Sequence, residues 1–197
     1  MKKKITDIAD IQLGYQFRKR IEPVEDGTHS VIQIRDFGHN LVLHKDNLIR
    51  VNINKPADSY LVNKGDVLFL SRGQRNWAAS IAEDLKDAIT VSHFFVLKIK
   101  SGDVIPEYLA WYINQAPAQE FLHTNARRGT HMPLVPLSAF KELTVEVPDI
   151  VTQRNIVELS GLLEKERRLL NQLQEKHTRL INAASLRAAK TEEEKIK

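Results

Sequence analysis

The sequence predicts an α+β protein: a compact mixed-sheet, barrel-like domain with one inserted helix, followed by a long C-terminal coiled-coil helix. Three observations carry that prediction. Short apolar and β-branched runs recur through the first three quarters of the 197 residues. One segment, from Pro106 to about Leu122, has helical spacing instead. From Thr152 to about Ala189 there is no proline and a single glycine, Gly161, and the apolar residues follow a heptad repeat.

The strands are read in chain order. Ser30-Val31-Ile32-Gln33-Ile34 is rich in β-branched residues. Asp66-Val67-Leu68-Phe69-Leu70 follows the turn Asn63-Lys64-Gly65 and reads as a buried strand. Ile89-Thr90-Val91 and Phe94 to Ile99 form a further apolar run, closed by Ser101-Gly102-Asp103. Leu143 to Val147 alternates strictly and stops at Pro148. The inserted helix has Pro106 at its start, and Tyr108, Leu109, Tyr112, Ile113 and Ala116 fall on one face.

In the long helix, Ile156, Leu159, Leu163, Leu170, Leu173, Leu180 and Ala184 occupy positions a and d, and Leu162 and Leu169 widen the stripe. Thr152 is the predicted N-cap, without the acid three residues on that would complete a capping box. Such a helix is roughly 55 Å long, more than the preceding domain can cover. It either folds back onto its own domain or pairs antiparallel with another chain, and the second reading suits Glu166, His177 and Arg187 at core positions, where polar residues set register. The predicted division is residues 1–149 for the domain and 150–189 for the helix. A charged tail, 190–197, is expected to fray into solvent.

Composition narrows the chemistry. There is no cysteine, which excludes disulfides, thiolate metal sites and cysteine nucleophiles. Met1-Lys2-Lys3-Lys4 has no apolar stretch behind it, so neither a signal peptide nor a membrane span is expected, and the expected compartment is the cytoplasm. Net charge is +4; residues 1–151 hold 19 Lys and Arg against 18 Asp and Glu, so a nucleic-acid surface there must be a local patch. None of the eight glycines forms a nucleotide loop, and no Asn-Pro-Pro-aromatic segment of an adenine methyltransferase occurs. No His-x-x-x-His pair occurs, and no metal site is expected; His39 and His44 are read as loop residues. Asp66 with Asp84 and Lys86 has the spacing of a metal-dependent nuclease, but Ala82 to Ala88 reads as a polar turn, where that chemistry needs a strand, and Asp66 reads as a turn residue.

Three polar segments interrupt the apolar runs. They are Gln33 to Asp36, Ser71 to Trp77, and Asn125 to His131. Arginine grips guanine O6 and N7 with two hydrogen bonds, and Gln and Asn do the same for adenine. The candidate DNA contacts are Arg35, Arg72, Gln74, Arg75, Asn76, Arg127, Arg128, Thr130 and His131. Against this stands the plain reading that loops are polar anyway, with Arg35 in a local ion pair with Asp36.

Several segments, in order, resemble the recognition domain of a type I restriction-modification specificity subunit. They are Ile5 to Ala9, Val31 to Asp36, Lys64 to Leu68, Ser71-Arg72-Gly73, Pro106 to Leu109 and Arg128-Gly129-Thr130. Val147-Pro148-Asp149 with Gln153, running into the leucine-rich helix, is similar to that family's junction with its spacer helix. The usual subunit carries two such domains and two such helices; this chain has one of each. The resemblance implies a non-catalytic, double-stranded-DNA-binding subunit. It would dimerise through Ile156, Leu159, Leu163, Leu170, Leu173 and Leu180, as a homodimer or with a second half-subunit. Its partners would be adenine methyltransferase subunits, which carry the S-adenosylmethionine, and motor nuclease subunits in the complete enzyme. The chain itself would need no cofactor. The competing readings are a stand-alone DNA-binding regulator dimerised by its coiled coil, and the metal-dependent nuclease.

Overall fold

The chain opens with strand β1 (Lys2–Lys4), one helical turn α1 (Ile5–Ile8) and strand β2 (Ala9–Leu13). Strands β3 (His29–Ile32), β4 (Ile49–Val51), β5 (Val67–Leu70), β6 (Ala78–Ser80), β7 (Ala88–Thr90) and β8 (Phe94–Ile99) follow. Helices α2 (Pro106–Ile113), α3 (Ala116–Asn125) and α4 (Leu137–Phe140) lead to β9 (Thr144–Glu146) and the long helix α5 (Ile150–Glu194). This is a computed structural model, and it describes residues 1–53, 58–127 and 132–194. The chain divides into two units, residues 1–157 and 158–197.

In the first unit the strands form three sheets: β2-β8-β5-β6, antiparallel throughout; β4-β3-β7, with β3 and β7 parallel; and the pair β1-β9. The barrel-like closure that the strand spacing predicts does not occur. A closed barrel needs every strand paired on both sides, and β2 and β6 are each paired on one side only.

Strands β5 and β8 sit at the centre, and β5 throughout and β8 from Phe94 to Leu97 are apolar on both faces because both faces are covered. Successive side chains point to opposite faces. Val67, Phe69, Phe95 and Leu97 therefore enter a core with Ile5, Ile8, Leu109, Ile113, Phe140 and Val145. Leu68, Leu70, Phe94 and Val96 enter a second core with Ile32 and Ile81. Phe69 stacks on Phe140 at 4.3 Å between ring centroids. Val31, Val51 and Ile89 make a third, smaller cluster.

The predicted inserted helix is two helices. Pro117 lacks an N–H and its ring would clash with the carbonyl of Ile113, so the helix stops at Asn114 and restarts at Ala116. The Ile113 carbonyl accepts a bond from Gln119 Nε2 instead, at 2.7 Å. Asn114 uses the break: its amide oxygen takes the Ala78 N–H at 2.9 Å and its nitrogen donates to the Ala78 carbonyl at 2.8 Å, tying α2 to edge strand β6.

The predicted cap of the long helix is also corrected. Asp149, not Thr152, caps it: the Asp149 carboxylate accepts the Thr152 N–H at 2.9 Å and the Thr152 hydroxyl at 2.7 Å. These bonds hold the Asp149 carboxyl below its usual range. At the other end the helix is described through Glu194.

Gln153, fully buried, joins this first stretch of α5 to the domain. Its Oε1 accepts the Ile105 N–H at 3.0 Å, and its Nε2 donates to the carbonyls of Asp103 at 2.7 Å and Pro148 at 2.8 Å. Gln153→Ala removes the partner of three part-buried backbone groups, so it should lower unfolding stability by about 1–3 kcal/mol. Denaturant titration checks this; a loss below about 0.5 kcal/mol, the range of a surface change, would contradict it.

Candidate functional site

The turn from Thr90 to Phe94, between β7 and β8, is the hub of the candidate site. Three backbone connections fan out from it. The Val91 N–H reaches the Ile32 carbonyl at 3.3 Å, fixing the end of β3 and the segment that follows. The Ser71 N–H and hydroxyl both donate to the His93 carbonyl at 2.8 Å, fixing the segment after β5. The Tyr15 N–H donates to the Thr90 carbonyl at 2.7 Å and the Gly14 N–H to the Phe94 carbonyl at 2.9 Å, fixing the segment after β2.

Leu134 brings in the third predicted polar segment. It bridges to Arg72 on one side and Arg127 on the other. The Arg127 N–H donates to the Leu134 carbonyl at 2.9 Å, and the Val135 N–H to the Ser71 carbonyl at 2.9 Å. An aromatic group closes the arrangement: Phe37, just beyond the first segment, meets Trp77 at 4.9 Å, and Trp77 meets Phe94 at 5.5 Å. Segments separated by about forty and fifty residues in sequence are therefore bound to one another by main-chain hydrogen bonds and rings.

In the first segment, Gln33 and Asp36 form a closed turn. The Gln33 N–H donates to Asp36 Oδ2 at 2.7 Å, and Asp36 is buried. Burial pushes the Asp36 carboxyl up, against the opposing pull of the Gln33 N–H and Arg35. Arg35 Nε lies 3.9 Å from Asp36 Oδ1, a long ion pair, and its side chain is 65% exposed. The local pair weighed from the sequence exists, but it leaves the guanidinium open to solvent.

In the second segment Arg72, Gln74 and Arg75 are exposed. Asn76 faces inward: its Nδ2 donates to the Leu70 carbonyl at 2.8 Å and braces the turn. Trp77 belongs to the aromatic group rather than to solvent. His93 lies partly buried beside Arg72; burial first, and the arginine charge second, push its imidazole below the usual range. In the third segment Arg127 is exposed, while Arg128, Thr130 and His131 lie outside the described residues.

Asp66 has a structural task. Its Oδ2 accepts the Asn63 N–H at 2.9 Å and Lys98 Nζ at 3.0 Å, which holds the turn where Gly65 takes φ +89°. Asp84 and Lys86 lie exposed in the stretch before β7. Among the described residues no group of three His, Asp or Glu is placed to hold a metal ion, and no helix is long and apolar enough to cross a membrane.

The sequence reading passed over the segment Gly14 to Arg20, which leaves the same hub. Its signal was available: a run of three cations, Arg18-Lys19-Arg20, directly after Tyr15 and Phe17.

Of the residues predicted to form the dimer stripe, Ile156 packs with Val157 against the first unit's core. Within residues 158–197, Leu159, Leu163, Leu170, Leu173 and Leu180 are all exposed, from 49% to 68%.

No curated protein matches the chain. Among solved structures it is similar to the type I restriction-modification system S subunit from M. genitalium, at 14% identity over 84% of this chain and 39% of that one, TM-score 0.55. It is similar to the HsdS subunit from Thermoanaerobacter tengcongensis, at 17% identity over 88% of this chain and 44% of that one, TM-score 0.58. A chain from a structure describing complex assembly and conformational transition of the type I R-M system matches at 14% identity, over 89% of this chain and 41% of its own, TM-score 0.60. These likenesses share the fold, and the chain spans about two fifths of the length of those relatives. The family model for the type I restriction modification DNA specificity domain matches residues 1–176, the whole of the first unit and more than half of the long helix, and the chain belongs to that family.

Proposed function

We propose that this chain is the DNA-reading specificity subunit of a type I restriction-modification complex, with one recognition domain per chain. The observation that carries the reading is the convergence of separate polar segments on one hub, which leaves Arg35, Arg72, Gln74, Arg75 and Arg127 exposed. Arginines in such loops read guanine in the major groove or grip phosphates. Arg128, Thr130 and His131, outside the described residues, are counted as DNA contacts in this reading on their residue types alone. The chain performs no chemistry. An adenine methyltransferase subunit, which carries the S-adenosylmethionine, is recruited to the bound site and flips the target base. Motor nuclease subunits join where the system also cleaves.

Pairing of α5 with a second copy, or with a different half-subunit, makes the site bipartite. Ile156 is covered by its own domain, so the five leucines from Leu159 to Leu180 carry the pairing.

The test combines the full chain with its cognate methyltransferase. Together they should methylate adenine within one defined sequence, and the chain alone should transfer no methyl group. Arg72→Ala and Arg75→Ala should each cost about 1–3 kcal/mol of DNA affinity and relax base choice at one position where the arginine reads a base. Methyl transfer by the isolated chain, or wild-type affinity in both variants, would overturn the assignment.

A further inference from the structure

The segment after β2 is built as a short arm. Gly14 crosses so close to the hub that a Cβ there would meet the Val91 carbonyl oxygen at 2.2 Å, so only glycine permits the crossing. Tyr15 then bridges to Val91. Its ring meets Phe17 at 4.9 Å and Tyr60 at 5.3 Å, both edge-on. Phe17 and Ile21 are both half-buried against the Val31, Val51 and Ile89 cluster. Between these two anchors Arg18, Lys19 and Arg20 are all exposed. Among the described residues none of the three is in an ion pair. Acidic residues come only after the second anchor, at Glu22, Glu25 and Asp26, so the positive charge is confined to the pinned loop.

We infer that Arg18, Lys19 and Arg20 form a phosphate-gripping arm that holds the backbone of the duplex beside the base-reading loops. The inference rests on the DNA-reading function proposed above and adds to it a second, sequence-independent surface. Three features support it. The arm leaves the same turn, Thr90 to Phe94, that fixes the segments carrying Arg35 and Arg72. Its two ends are anchored by apolar side chains, so holding three cations in place costs little further chain entropy on binding. Three adjacent cations without glutamine or asparagine among them suit a row of phosphates, which carry charge but no sequence information. The loop around Gln74 and Arg75 has the opposite composition, mixing amide and guanidinium groups.

The experiment measures binding of the full chain to a random-sequence DNA duplex, and to the duplex carrying its methylated motif, across salt concentrations. Each phosphate contact contributes about 0.9 to the slope of log affinity against log salt. R18A/K19A/R20A should therefore flatten the slope by about 2 to 3 on both duplexes. Between about 50 and about 200 mM salt, the affinity lost by the wild type should exceed that lost by the variant by about 40-fold. The methylated motif itself should not change. R18K/R20K should retain the wild-type slope, because lysine serves a phosphate as a point charge. Thermal unfolding of the triple variant should match the wild type, all three side chains being exposed. Wild-type binding with an unchanged slope in the triple variant overturns the arm and leaves the DNA-reading function standing. A wild-type chain that binds neither duplex overturns both.

Discussion

Leu163→Asp combined with Leu170→Asp should turn the chain monomeric and abolish tight DNA binding, with residues 1–157 still folded. Leu163 is 49% and Leu170 56% exposed within the second unit, so neither supports the first unit's cores. They lie seven residues apart, both at position a of the heptad, and face the same seam. Burying a leucine contributes about 1.5–3 kcal/mol. An unpaired carboxylate in its place adds a desolvation cost of several kcal/mol per ion. In a symmetric pair every substitution occurs twice, so the combined effect exceeds any plausible dimerisation free energy of a single helix pair. Sedimentation measures the oligomeric state, and hydrogen exchange over β5 and β8 confirms that the domain is intact. A variant that stays dimeric would remove α5 from the interface.

Much of the fold is legible in the sequence where burial dictates it. Phe94 to Ile99 reads as a strand and forms one, because its first four residues, Phe94 to Leu97, are covered on both faces and so are all apolar. The long helix is legible for a different reason: its heptad spacing depends on one helix and not on the rest of the chain. What the sequence hides is decided by long-range pairing. Lys2–Lys4 is a strand made of three lysines, against its own propensity, because β9 pairs with it 140 residues later. The three-residue strands β4 and β6 are too short for any period to show.

The candidate site divides in the same way. Arg72, Gln74 and Arg75 stand out as polar residues after a buried strand. The inward turn of Asn76 toward the Leu70 carbonyl, and the burial of Trp77 on Phe37 and Phe94, depend on neighbours that residue type alone does not identify. The hub itself is invisible in sequence, since Thr90, Val91 and His93 act mainly through their backbone groups.

The shape of the DNA target is the remaining expected result. In the proposed function each chain contributes the one recognition domain of residues 1–157, and a site with two read segments then requires two chains. Two identical chains close most simply about a two-fold axis. Antiparallel pairing of the α5 helices obeys that symmetry without further adjustment. Duplex DNA has its own two-fold axes between its strands. The two domains then read the same short sequence on opposite strands, and the methylated motif is an interrupted palindrome with unread base pairs at its centre. Two domains reading successive exposures of one groove place the half-site centres about one helical turn apart, about 34–36 Å. A subunit holding two different recognition domains in one chain has no such symmetry and reads an asymmetric site. Methylation mapping of DNA from cells carrying the chain and its methyltransferase reads the motif directly. An interrupted palindrome is expected. An asymmetric motif would replace the homodimer with pairing to a different half-subunit, and a single uninterrupted motif would remove the two-domain clamp altogether.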